Sequence, residues 1–308
     1  MLTAARLGLF GVGLVAVFGV AATAANTFVP AETVTAWTQA AEDTTMQDHP
    51  SSTAAHTVGG LSVEQSGYVL DEIAAPGETT TSGVLSFRIL DPAGKPLSSY
   101  GVDHDKELHL IVVRTDGAFF DHVHPTRDAA GVWSIPWTWK AGGSYRIYAD
   151  FQATDAAAPI DLTLSRTVQV AGDFAPVRVA STSTVEVDGF KVSVTGQLYA
   201  GESSDLVLAV RRDGSPVTEL EPYLGAFGHL VALRAGDLAY LHVHPERDSP
   251  KQGDTAGPDV AFVATAPTGG RYLLFFDFQV NGQVHTAALT LDAAPGVAGG
   301  SAEHGNDH

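Results

Sequence analysis

Apolar and polar residues alternate in short stretches along most of the chain: VLSFRIL (84–90), SYRIYADF (144–151), FKVSVTGQL (190–198), LVLAVRR (206–212) and RYLLFFDFQV (271–280). Alternation with period two puts successive side chains on opposite faces of an extended segment, the signature of a strand with one buried face. Gly, Pro and Asp separate the stretches, as in DPAGKP (91–96) and RRDGSP (211–216), and these are turn sequences. Beyond the N-terminal segment no stretch keeps a helical period. The pattern predicts an all-β protein of antiparallel, immunoglobulin-like β-sandwiches.

The strand pattern also recurs. DPAGKPLSSYGVDHDKELHLIVVRTDGAFFDHVHPTRD (91–128) lies without a gap over RRDGSPVTELEPYLGAFGHLVALRAGDLAYLHVHPERD (211–248). His109, His122, His124, Pro125, Arg127 and Asp128 fall on His229, His242, His244, Pro245, Arg247 and Asp248, each 120 positions later. GGSYRIYADFQ (142–152) matches GGRYLLFFDFQ (269–279) at an offset of 127, so the second copy carries about seven more residues, placed in the loop SPKQGDTAGP (249–258). An internal duplication of this kind predicts two tandem sandwiches, 59–172 and 178–293, joined by a linker at 173–177.

Register then makes a prediction about the histidines. With Asp116-Gly117 at the hairpin turn, residues whose numbers sum to 233 face each other, so His109 faces His124 and Ile111 faces His122. With Gly236-Asp237 as the second turn, His229 faces His244, and His242 lies beside them. Opposed Cβ atoms are roughly 5 Å apart, and alternate residues on a strand about 6.6 Å apart. Metal–imidazole bonds of about 2 Å let three such rings converge on one ion. A lone buried histidine is usually a hydrogen-bonded core residue; two identical trios in diverged copies point instead to a ligand set. Asp150 and Asp277, on the same face of their strands as Gln152 and Gln279, are the candidate fourth ligands or partners of the imidazole N–H groups. Affinity at such sites is expected to fall as the pH drops through about 6.5. Asp128 with Arg127 reads as a local turn and ion pair, and His104 and His285 as exposed strand or loop residues. His49 and His56 fall in the segment before the first copy, and His304 and His308 in the tail.

Composition narrows the chemistry. The chain has no cysteine and two methionines, Met1 and Met46, so any metal must be held by imidazole and oxygen. That donor set suits Cu(II) or Zn(II), about one ion per repeat, and disfavours Cu(I). Seventeen Lys+Arg against thirty-five Asp+Glu give a formal charge of −18, which excludes phosphate-backbone binding and favours cations. Arg6 precedes an apolar run from Leu7 to about Ala25, so residues 1–25 read as a signal peptide or membrane anchor. Residues 26–58 read as a flexible stalk and 294–308 as a disordered, His-containing tail. Both readings of the N-terminus place the repeats outside the cytoplasm.

KELHLIVVRTDGAFFDHVHPTRDAAGVWSIP with GSYRIYADF is similar to a family of bacterial secreted or membrane-anchored proteins described as heavy-metal-binding proteins. The resemblance spans both repeats and the N-terminal hydrophobic segment, and implies a location and a metal rather than a mechanism. The function expected is extracytoplasmic divalent-metal binding, not catalysis. The partners expected are metal ions, the membrane where the N-terminal segment is retained, and a membrane metal transporter as recipient. The alternative is a structural or interaction module with hydrogen-bonded histidines. HVH also occurs in copper–zinc superoxide dismutases, but those normally carry a disulfide. A cupin motif would want Glu where Asp248 stands, and no GxSxG elbow supports a hydrolase.

Overall fold

A computed structural model describes residues 58–241, 243–245, 250–251 and 253–296, without the side chains of His244 and Pro245. The N-terminal segment 1–25, most of the 26–58 stalk, His242, the side chain of His244, Arg247, Asp248 and residues 297–308 of the tail lie outside the described residues. Among the described residues every regular element is a strand, and no helix is long and apolar enough to cross a membrane.

Each repeat is a sandwich around its own core. In the first, a four-stranded sheet orders Ile160–Val170, Gly143–Ala153, His109–Arg114 and Asp121–Val123 side by side. In the second, Gln283–Ala294, Gly270–Val280, His229–Arg234 and Tyr240–Leu241 follow the same order, extended by Leu198–Tyr199. One core gathers Leu110, Val112, Ile147, Phe151 and Trp133, the other Leu230, Ala232, Phe262, Phe276 and Phe278. The hairpins have the expected register: Ile111 pairs with His122 in the first copy, and Leu233 with Tyr240 in the second.

The strands His109–Arg114 and His229–Arg234 depart from simple alternation. Both are buried along almost their whole length, on both faces. Their sequences, HLIVVR and HLVALR, are continuous apolar runs after the histidine, as expected for strands covered on two sides. Side chains on the other face of these sheets form a third core between the repeats: Ile111, Val113 and Tyr148 from the first, and Val231, Leu233, Leu273 and Phe275 from the second. Contacts there come in corresponding pairs. Phe120 stacks on Phe275 at 4.0 Å, and their counterparts Tyr240 and Tyr148 meet at 5.8 Å. Tyr148 Oη also donates to the Leu238 carbonyl at 2.5 Å. Full burial of each large apolar side chain contributes about 1.5–3 kcal/mol, against about 0–1 kcal/mol for an exposed ion pair, so burial is what joins the repeats.

The linker is fixed as well. Arg114, 1% exposed, donates to the Ala175 carbonyl at 2.8 Å, while Asp116, its ion-pair partner, accepts from the Val177 N–H at 2.8 Å. The strand after each hairpin turn then changes sheets: Asp121–Val123 pairs with His109–Arg114, but Thr126–Arg127 pairs with Trp133–Trp137. In the second copy Tyr240–Leu241 and Val243–Pro245 make the same switch. HVHP is therefore the crossing point between the two sheets of the first sandwich, and Leu241 and Val243 belong to different sheets of the second.

Candidate metal centre

Adjacent strands bring the chemistry together. His109 lies opposite Asp150 and His229 opposite Asp277, directly across neighbouring strands of each sheet. All four face the same way as the inter-repeat core, so their side chains reach toward the other repeat rather than into their own.

In the first repeat the predicted trio converges. His109 Nδ1 is 3.0 Å from His122 Nε2 and 3.2 Å from His124 Nε2. Ligand atoms of all three lie within 4.8 Å of one another. Ring centroids are separated by 5.2, 5.0 and 5.0 Å. With metal–nitrogen bonds of about 2 Å, two imidazole centroids on one tetrahedral ion lie about 5 Å apart. The trio already has that spacing.

Outer hydrogen bonds fix which nitrogens carry protons. His109 Nε2 lies 3.1 Å from the Asp103 carbonyl, a group that only accepts, so Nε2 is the N–H and Nδ1 holds the lone pair. His122 Nδ1 lies 2.8 Å from Asp277 Oδ2, so its N–H donates there and Nε2 holds the lone pair. Two lone pairs therefore face each other at 3.0 Å. His124 can supply one proton to this array through its Nε2–H, but not two. A fully protonated ring is disfavoured: burial first, then the charge of His122, pushes His109 down to about 4, and burial with His122 and His109 pushes His124 to about 3. A metal cation accepts all three lone pairs at once. Burial thus keeps His109 and His124 neutral, with lone pairs free to ligate, well below the usual imidazole range.

The aspartates cross the interface. Asp277, 3% exposed, belongs to the second repeat but holds His122 of the first, with its other oxygen taking a hydrogen bond from Thr286 at 2.5 Å. Asp150 has the matching arrangement: Thr163 donates to Oδ1 at 2.7 Å, and Tyr240 of the second repeat donates to Oδ2 at 3.3 Å. Each carboxylate thus reaches out of its own repeat. His229, 8% exposed, donates from Nε2 to the carbonyls of Tyr223 and Leu224 at 2.9 and 3.1 Å. Burial, then His104 and His122, pushes it down to about 3. A cavity of about 250 Å³ between the repeats is bounded by His104, His109, His122, His229, Asp150 and Tyr240.

Three expectations need correction. His104 is not an exposed residue outside the site: it sits in the turn Asp103–Lys106 with φ of 48°, its ring 4.7 Å from that of His229. The sequence signal was its placement five residues before His109, in the turn whose carbonyl orients that ring. His285 is 5% exposed, packs on Phe190 and Phe278, and bonds Asp188 at 2.8 Å. Arg127 pairs with Glu107 at 3.2 Å rather than with Asp128, which instead caps its turn by accepting from Ala130 and Val132.

No curated protein matches the chain. Among solved structures it is similar to the adhesin InvE of Yersinia pseudotuberculosis (10% identity, TM-score 0.23, covering 75% of this chain and 60% of that one). It is likewise similar to invasin, a bacterial integrin-binding protein (14% identity, TM-score 0.22, 74% and 39%), and to fibronectin(III)-like modules of CbhA from Clostridium thermocellum (10% identity, TM-score 0.19, 78% and 99%). The chain thus spans less than two thirds of the first two, and at these scores nothing of those proteins' activities carries over. The duplication has a direct counterpart in family terms: a domain of unknown function matches once over residues 62–169 and again over 184–295, and the chain belongs to that family, DUF8832.

Proposed function

We propose that the protein is an extracytoplasmic binder of a divalent metal ion, Cu(II) or Zn(II), held by His109, His122 and His124. The observation that carries the reading is the meeting of two lone pairs at 3.0 Å with a third ring nitrogen at 3.2 Å, while the outer nitrogens of His109 and His122 are bonded to an acceptor carbonyl and a carboxylate. Hydrogen-bonded structural histidines would pair an N–H with each lone pair, and this trio has too few protons for that. The counterpart trio His229, His242 and His244 takes a second ion, with Asp150 and Asp277 acting across the interface. A location outside the cytoplasm is supported by the apolar N-terminal run, and the acidic charge of −18 draws cations to the cavity.

The test is direct. Protein stripped with a chelator and titrated with Cu(II) or Zn(II) should bind tightly and gain thermal stability, since a ligand that binds only the folded state raises its stability. His122→Ala with His124→Ala should abolish the first-repeat site. Absence of retained metal and of any rise in Tm at excess ion would overturn the proposal.

A further inference from the structure

Distances between imidazole rings divide the five described histidines at the interface into two groups. Within His109, His122 and His124 the centroids are 5.0–5.2 Å apart. His104 and His229 are 4.7 Å apart. Between the groups the separations rise to 6.2 Å for His104–His109, 6.3 Å for His122–His229 and 6.5 Å for His109–His229. Two imidazoles on one tetrahedral ion need about 5 Å, so both groups have co-ligand spacing and the gaps between them do not. We propose that His104 of the first repeat and His229 of the second are co-ligands of a second ion, seated across the interface beside the first.

Several features support this assignment, which rests on the metal-binding reading above. His229 donates through Nε2 to two backbone carbonyls, so its Nδ1 is the lone-pair nitrogen, and it forms no hydrogen bond among the described residues. His104 is held in place by a tight turn, with Asp103 N–H donating to the Lys106 carbonyl at 2.9 Å and Lys106 N–H to the Asp103 carbonyl at 3.0 Å. Both central residues of that turn, His104 and Asp105, have positive φ, at 48° and 62°. Such a conformation costs a non-glycine residue about 1–2 kcal/mol, and Asn or Gly would relieve it. The turn therefore does not explain the histidine.

The second repeat supplies a comparison. Its turn Tyr223–Ala226 has the same pair of hydrogen bonds, with Leu224 at φ 52° where the first repeat has His104. Only the first repeat contributes an imidazole at this position. The two ions are consequently inequivalent: the one on His229 gains a ligand from the opposite repeat, and the one on His109, His122 and His124 gains none from Leu224. His109 and His122 of the first group and both members of the second line the same cavity.

The variant His104→Asn keeps a side chain suited to the left-handed turn while removing the ligand. Full-length protein stripped with a chelator would be titrated with Zn(II) against a competing chelator and, separately, loaded with cadmium for metal NMR. Wild type should bind two ions and give two cadmium resonances. His104→Asn should weaken one ion at least about ten-fold, as even partners of ligands are worth about 10–100-fold, and should move only one resonance. His122→Ala should remove the other. Two ions of unchanged affinity with unmoved resonances in His104→Asn would overturn the proposal. One wild-type ion that depends on His122 but not on His104 would also overturn it, yet leave the metal-binding reading standing; no bound ion would overturn both.

Discussion

Acidification from about pH 7.5 to about 5.5 in a chelator should destabilise the ion-free protein by about 2–3 kcal/mol through His109 and His229 alone. These imidazoles are 7% and 8% exposed, and burial together with neighbouring histidines pushes them down to about 4 and about 3. In the unfolded chain each returns to about 6.5. Because the folded values are depressed, the unfolded state binds the extra protons. Stability is therefore full above pH 6.5, is lost as the pH falls below it, and levels only near pH 3–4. Both rings stay neutral in the fold at pH 5.5, so each contributes about 1 kcal/mol, set almost wholly by its unfolded value. Urea unfolding followed by far-UV circular dichroism at the two pH values measures the change. His229→Asn, whose amide can still donate to the Tyr223 carbonyl, should show a pH dependence smaller by about 1 kcal/mol. Equal pH dependence in variant and wild type would refute the claim that His229 is held neutral by burial.

Three further outcomes follow from the same contacts. Asp277→Asn removes the carboxylate that fixes His122 and should weaken the first-repeat ion about 10–100-fold in chelator competition, with the circular dichroism spectrum unchanged. Phe275→Ala removes the ring stacked on Phe120 at 4.0 Å and should cost about 3–5 kcal/mol in urea unfolding. At Gly228 an added Cβ would stand 2.4 Å from Phe276 Cε2 and 3.2 Å from the Asp277 carbonyl, so Gly228→Ala should destabilise by about 1–3 kcal/mol and lower Tm.

Period-two alternation and turn residues were enough to read the sandwiches, and the position of Asp116-Gly117 was enough to set the hairpin register that puts His109 and His122 on one face. Those are local properties: side-chain direction follows from strand geometry, and register follows from the turn. Nothing local says what covers that face. The one sequence trace of the inter-repeat packing is that HLIVVR and HLVALR do not alternate, because Ile111, Val113, Val231 and Leu233 are buried by the neighbouring repeat. His285 was misread for a related reason. Its burial depends on Phe190 and Phe278, and on Asp188, 97 positions away in the chain. His104 was missed because its importance depends on a ring in the other repeat.

Duplication explains why the histidines gather at the interface rather than at two separate sites. When two copies pack through the same face, a residue near the shared axis is near its own counterpart, as in an isologous dimer. Phe120 meeting Phe275 while Tyr240 meets Tyr148 is that relation within one chain. A ligand set on this face is therefore brought close to its copy, and a carboxylate pointing out of one repeat serves the ring of the other, as Asp277 serves His122. Once both repeats line the cavity, a change in only one copy can affect side chains of both. The difference between His104 and its counterpart Leu224 is of that kind, because the His104 ring lies beside His229 of the other repeat and not beside its own trio. Joining the copies in one chain is what makes that asymmetry available, since a dimer of identical chains would carry the substitution on both sides.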